Sequence, residues 1–139
     1  MKKKIFRSKT IFYLNLIVNI FYLFLTILSL VLIQNDYKKV ITYDVNLTVY
    51  YIYLIIYILP IIILYWTPKR AIDFLTLLYL LGIVLNVSEL NELPFKYDAL
   101  QLVVVIFFTA IHLILIFVNY KFKYVSVYGE LEEIGQKDN

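Results

Sequence analysis

His112 is the only histidine in this 139-residue chain, and it lies inside the apolar run 98–120. Gln101, Thr109 and Asn119 also interrupt this run, and successive polar residues are eight, three and seven positions apart. These spacings place all four side chains near one face of a helix. Because polar groups are costly in hydrocarbon, we expect this face to point at other protein rather than at lipid.

A histidine inside a membrane can relay a proton, bind a metal ion or sense pH. A metal site needs three or four ligands, and the sequence has no cysteine and no second histidine. A proton relay needs a carboxylate at similar depth, whereas Asp73 and Asp98 lie near the ends of predicted helices. A charged side chain at this depth costs at least about 2.5–3.5 kcal/mol. We therefore expect a neutral His112 that donates one hydrogen bond to the first or third helix.

Polar side chains interrupt the other apolar runs as well. Asn15 and Asn19 share one face of the first run, and Asn86 lies in the third. Such asparagines usually hydrogen-bond a neighbouring helix, although they can also line a polar path. Asp73 lies in the first turn of the third run, four residues after Lys69, and suits either a helix start or a partner site. The candidate intramembrane polar or partner face comprises Asn15, Asn19, Asp73, Asn86, Gln101, Thr109, His112 and Asn119.

Four apolar runs carry these residues. Hydrophobic residues make up 63% of the chain, whereas a soluble domain has about 45–50%. The runs cover about 11–33, 47–66, 71–88 and 98–120, and each is long enough for a transmembrane helix. Residues 1–10 form a basic leader and 121–139 a tail. The first run exceeds the core of a signal peptide and lacks a small-residue cleavage site, so we expect it to remain as a helix.

Two prolines modify this pattern. Pro60 lies inside the second run and removes the hydrogen bond to the Ile56 carbonyl, so the second helix is expected to bend there. Thr67 and Pro68 begin the short turn 67–70. Threonine is a favourable N-cap and proline a favourable first helical residue, which predicts that these two residues start the third helix.

The basic residues are distributed unevenly between the segments that join the runs. The leader, the 67–70 turn and the tail hold ten of the 13 lysines and arginines: Lys2, Lys3, Lys4, Arg7, Lys9, Lys69, Arg70, Lys121, Lys123 and Lys137. Cytoplasmic segments of membrane proteins carry an excess of such residues. The sequence therefore predicts an all-α integral membrane protein with four transmembrane helices in an up-down bundle. Both termini are expected in the cytoplasm. The protein is expected in the plasma or inner membrane.

The sequence contains none of the common motifs for nucleotide binding or hydrolysis. We find no P-loop, no dinucleotide fingerprint, no HExxH and no nucleophile elbow. One histidine without a carboxylate at the same depth offers little acid–base chemistry. We therefore expect no enzymatic activity, no metal and no cofactor. The three glycines also provide little of the small-residue surface on which close helix packing depends.

Two functions remain open. The leading hypothesis is a small non-catalytic membrane protein that acts as an accessory, regulatory or protective (immunity-like) partner through helix–helix contacts. Its expected partners are the lipid bilayer and either another membrane protein or further copies of itself, with no nucleic acid. The alternative is a small oligomeric transporter or channel that uses the intramembrane polar face.

Overall fold

The computed structural model describes residues 5–35, 47–92 and 99–124, which form four α-helices. Helix α1 is Lys9–Asn35, α2 is Leu47–Trp66, α3 is Ala71–Glu92 and α4 is Ala99–Lys121. All four are long and apolar enough to cross a membrane, which confirms that part of the predicted fold. The side chains of residues 89–92 and 99–101 lie outside the described part of the chain, and so does most of the leader and of the tail.

Two helices extend beyond the apolar runs in which they were predicted. Helix α1 begins at Lys9, before the run, and α3 continues past Ser88 to Glu92. Helical hydrogen bonds form between backbone groups, and Glu and Leu in this extension are good helix formers. An apolar run therefore marks the segment suited to hydrocarbon and not the full length of its helix.

Successive helices run in opposite directions and pack along one another. Between α1 and α2, the rings of Phe12 and Tyr65 meet edge-on with centroids 5.9 Å apart. Between α2 and α3, the Tyr53 hydroxyl donates to Asn86 Oδ1 over 3.0 Å. Each contact joins the first half of one helix to the second half of its neighbour. The helices therefore form an up-and-down bundle in which α4 returns beside α1.

The distribution of side chains is the reverse of that in a water-soluble bundle. Ile17, Phe24 and Phe117 are each at least 60% exposed, while Asn15 and His112 are fully buried. Soluble proteins bury large apolar residues and expose polar ones. Hydrocarbon imposes the opposite order, because apolar side chains dissolve in it and polar groups must find partners inside the protein.

The ends of the described chain meet at one end of the bundle. The Arg7 amide donates to the Phe122 carbonyl and the Tyr124 amide to the Ile5 carbonyl, both over 2.9 Å. The 67–70 turn lies beside these two segments and lines a cavity of about 110 Å³ with them. We call this the basic end, because it carries Arg7, Lys9, Lys69, Arg70, Lys121 and Lys123. The arrangement places three of the predicted basic segments together.

The prediction that Thr67 and Pro68 start α3 is wrong. Thr67 adopts a left-handed backbone conformation with φ 49°, and its amide donates to the Ile63 carbonyl over 2.9 Å. This hydrogen bond ends α2 in a C-terminal cap, although a left-handed conformation is strained for a β-branched residue. Helix α3 begins only at Ala71, whose amide donates to the Pro68 carbonyl. The bend predicted at Pro60, inside α2, stays a prediction.

Candidate functional site

Two asparagines join the first and last helices near the basic end. Asn15 Nδ2 donates to Asn119 Oδ1 over 2.7 Å, and Asn119 Nδ2 donates back to Asn15 Oδ1 over 2.9 Å. Both side chains are fully buried. Asn15 also donates to the Ile11 carbonyl of its own helix. The positions are 104 residues apart in sequence, so the pair closes the bundle between its first and last helices.

Tyr79 brings the third helix into this pair. Its hydroxyl donates to Asn15 Oδ1 over 2.8 Å and accepts from Asn19 Nδ2 over 2.8 Å. Asn19 also donates to the Asn15 carbonyl. The Asn15 amide thereby uses both of its hydrogens and both lone pairs of its oxygen, the full capacity of an amide. We call Asn15, Asn19, Tyr79 and Asn119 the amide network.

His112 lies beside this network, enclosed by aromatic rings. Its ring stacks on Tyr22 with centroids 5.1 Å apart, and Tyr79 meets it edge-on at 5.8 Å. Tyr22 also stacks on Tyr57, and Tyr57 on Tyr53, at centroid distances of 4.9 and 6.0 Å, while the rings of Tyr57 and His112 lie 6.0 Å apart. We call His112, Tyr22, Tyr57 and Tyr53 the aromatic column. It links α4, α1 and α2 through the middle of the bundle.

The prediction that His112 donates a hydrogen bond to another helix is wrong. The ring is fully buried and faces the bundle, as expected. However, Nδ1 lies 2.7 Å from the Phe108 carbonyl of its own helix, and Nε2 has no hydrogen-bond partner among the described residues. The ring instead fills space left by Gly82 of α3, where a Cβ would lie 2.9 Å from Nε2. Removing the imidazole therefore deprives no side chain of another helix of its partner.

The remaining candidate residues do not form one continuous face. Asn86 is buried and accepts a hydrogen bond from Tyr53, away from the amide network. Thr109 is half-buried, and its hydroxyl has no partner among the described residues. Asp73 is exposed at the basic end, where the Tyr120 hydroxyl donates to it over 3.4 Å. The Gln101 side chain lies outside the described residues.

Sequence reasoning did not include Tyr79 and Gly82 among the site residues, although both help to hold the buried polar groups. A usable signal was present, because Tyr79 and Gly82 are three residues apart and therefore lie on one face of α3. Gly82 is the only glycine within the described residues. Its partner on α4 could not be identified without the packing of the two helices.

An open cleft of about 270 Å³ lies between α1, α2 and α4, toward the end of the bundle opposite the basic end. Its polar lining includes Thr26 and Ser29 of α1 and Asn86 of α3, and its apolar lining includes Val104 and Phe108 of α4. None of the described residues that line it is charged. The described residues also bring together no group of three His, Asp or Glu side chains able to hold a metal ion. The described lining of this cleft is suited to an uncharged molecule.

Comparison with models of protein families, with curated proteins and with solved structures finds no match for this chain. Inference about its function therefore depends on the contacts of its own residues. Those contacts are of two kinds. Near the basic end lies an amide network in which the Asn15 amide is saturated. Toward the opposite end lies a cleft whose lining residues include two with buried polar atoms that lack a partner among the described residues, Tyr22 Oη and Asn86 Nδ2.

Proposed function

We propose that the protein is a non-catalytic, multi-pass membrane protein that acts as an accessory, regulatory or protective partner of another membrane protein. The observation that carries the proposal is the amide network, in which Asn15 has no hydrogen-bonding capacity left for a substrate. Polar groups that are saturated by one another join helices and do not line a path. The bundle then acts as a rigid body through its outer surface.

The proposed location is the plasma or inner membrane, with both termini in the cytoplasm. Four sufficiently long apolar helices support insertion. The orientation is supported by the six lysines and arginines gathered at the basic end, because such residues are retained on the cytoplasmic side. With this orientation, the loops after α1 and α3 lie outside the cytoplasm.

The outer face of α1 is the surface proposed to contact a partner. Ile17, Phe21, Phe24 and Leu28 are exposed and recur every three or four residues. Such a row forms a ridge of bulky side chains that can fit into the groove of another helix. Within hydrocarbon, association of this kind is driven by close packing and not by removal of apolar surface from water.

A photocrosslinking amino acid placed at single phenylalanines tests this proposal. p-Benzoylphenylalanine at Phe24 of α1 or Phe117 of α4, both at least 60% exposed, should give a discrete adduct with one other membrane protein in intact membranes. The matched control is the same replacement at Phe108, which is half-buried and lines a cleft of the bundle, and which should give no adduct with another protein. Adducts of the chain with itself alone, from both exposed positions, would contradict a heterologous partner.

A specific observation also favours the alternative, a transporter or channel formed by an oligomer. Five buried polar atoms have no hydrogen-bond partner among the described residues: Asn19 Oδ1, Tyr22 Oη, Asn86 Nδ2, Thr109 Oγ1 and His112 Nε2. Such atoms are usually satisfied by water or a ligand. In proteoliposomes with an imposed pH or potassium gradient, the accessory function predicts an unchanged gradient. Dissipation that is abolished by Asn19→Leu would establish transport instead.

A further inference from the structure

We propose that the cleft binds a membrane glycerolipid, with one acyl chain between α1 and α4 and an ester carbonyl hydrogen-bonded to the Asn86 amide. This lipid site goes beyond the proposed partner function. It requires only that the helices lie in a bilayer, and it holds whether the outer surface contacts another protein or not.

Asn86 supplies the polar anchor of the site. Its side chain lines the cleft and is only 7% exposed. The Tyr53 hydroxyl donates to Oδ1 and thereby fixes the orientation of the amide. Nδ2 is left as a buried donor without a partner among the described residues. Because an unsatisfied buried donor is costly, an acceptor oxygen is expected at this position.

The rest of the lining determines the class of molecule. No described lining residue is charged, so the described lining offers nothing to balance a charged ligand. The rings of Tyr22 and Tyr57 stack on each other, and Tyr22 also stacks on His112. These contacts occupy part of the ring surface that would otherwise be open to the cation–π contacts that hold quaternary ammonium groups. Val104 and Phe108 provide apolar surface for a hydrocarbon chain.

The depth of Asn86 matches the ester group of a lipid. Asn86 lies three residues before Glu89, whose charge ends the apolar run 71–88, which is about 4.5 Å at 1.5 Å per residue. Ester carbonyls lie at this boundary between the hydrocarbon core and the headgroups. Helices α1 and α4 pack against each other less than do the other neighbouring pairs. Their separation toward this end allows an acyl chain to enter sideways from the bilayer.

Photolabelling in proteoliposomes tests the lipid site. The probe is phosphatidylcholine with a diazirine in one acyl chain, present at low fraction in unlabelled lipid. Labels should concentrate on the α4 peptide that contains residues 104–108. Asn86→Leu should weaken this labelling about fivefold, the loss expected for one hydrogen bond. Val105→Trp, which fills the cleft, should abolish it. Ser88→Leu, on the exposed side of α3, is the matched control and should leave it unchanged.

Two results would overturn the lipid site. One is uniform labelling of all exposed helix faces that Val105→Trp does not alter. The other is displacement of the label by excess ubiquinone-1 but not by excess phosphatidylcholine, which would assign the cleft to a quinone. If Asn86→Leu does not fold, the comparison of Val105→Trp with the control Ser88→Leu still shows whether the labelling depends on the cleft. The crosslinks from Phe24 and Phe117 are unaffected by these variants, so failure of the lipid site is distinguishable from failure of the partner function.

Discussion

Asn15 is the most connected polar side chain among the described residues, and in the proposed membrane location its value to the fold depends on the surrounding hydrocarbon. It joins α1 to Asn119 of α4 and to Tyr79 of α3 within one amide. In water an exposed amide would exchange such bonds for bonds to solvent at little net cost. Inside a membrane no solvent competes, so the loss of one amide leaves its partners without hydrogen bonds.

We predict that Asn15→Leu destabilises the bundle by about 1–3 kcal/mol, because it leaves the Asn119 amide and the Tyr79 hydroxyl unsatisfied. Asn119→Leu should have a similar effect. The double variant should cost less than the sum of the two, because neither partner is then left alone. Unfolding in mixed detergent micelles measures these differences. Asn35→Leu, at the exposed end of the same helix, is the matched control and should change stability by less than about 0.5 kcal/mol. Strict additivity of the two single variants would contradict a reciprocal pair.

The contact of His112 with Gly82 gives a second prediction at the residue scale. In Gly82→Ala the new Cβ would lie 2.9 Å from Nε2 and 3.3 Å from Cδ2. The imidazole is held by Tyr22 and by the Phe108 carbonyl, so the ring cannot move away cheaply. We expect a destabilisation of about 1–3 kcal/mol, the usual cost of overpacking.

The same substitution in a His112→Ala background is the control. With the ring absent, Gly82→Ala should be neutral or stabilising, since alanine is the better helix former by up to about 1 kcal/mol. Thermal unfolding in detergent measures both backgrounds. An equal loss of stability in the two would show that Gly82 serves some purpose other than holding the imidazole.

At the scale of the helices, the aromatic column explains how α2 is attached to the bundle. Tyr57 stacks on Tyr22 of α1 and on Tyr53 of its own helix. The buried positions of α2 are Tyr53, Ile56, Tyr57, Pro60 and Leu64, which recur at helical spacing along one side. Stacked rings therefore take the place that small residues have in many membrane bundles.

We predict that Tyr57→Ala costs about 1–3 kcal/mol, because it removes two stacked pairs worth about 0.5–1.5 kcal/mol each. The transfer of the side chain from water contributes little here, since the unfolded helix also lies in an apolar medium. Tyr51→Ala on the same helix is the matched control, because Tyr51 is half exposed at 50%. Unfolding of both variants under the same detergent conditions makes the comparison. Equal losses of stability in Tyr57→Ala and Tyr51→Ala would show that the aromatic column does not stabilise the bundle.

At the scale of the whole molecule, the charge distribution and the polar interior complement each other. The basic end gathers the N-terminal segment, the 67–70 turn and the segment after α4. Asn15 of the amide network lies six residues, or roughly 9 Å, inward from Lys9, at which α1 begins. The cleft lies toward the opposite end, so the bundle is closed by hydrogen bonds at one end and open between α1 and α4 toward the other.

This asymmetry leads to a prediction of membrane topology. Reporter fusions at positions 68 and 130 should be cytoplasmic, and fusions at positions 40 and 92 should be external, because basic segments are retained in the cytoplasm. Paired reporters that are active on opposite sides of the membrane make the measurement. A cytoplasmic signal at position 40 would be incompatible with four crossings, and external signals at positions 68 and 130 would invert the proposed orientation.

The four helices followed from the sequence because a long apolar run has one stable form in hydrocarbon, a helix that satisfies its own backbone. The same physics indicated that Asn15, Asn19, His112 and Asn119 would point inward, and all four are fully buried. The contact partners of these side chains did not follow from the sequence. Helical periodicity assigns a side chain to a face, but the depth and rotation of each helix decide which faces meet.

Only the tertiary structure therefore paired Asn15 with Asn119 across 104 residues and placed the His112 ring against Gly82. It also separated Asn86 and Asp73 from the residues with which the sequence had grouped them. Thr67 shows the same limit within a turn, since its residue type suits the start of α3 while its backbone ends α2. Residue type and spacing determined the elements and their inward faces. The contacts between elements depended on packing, which no local pattern encodes.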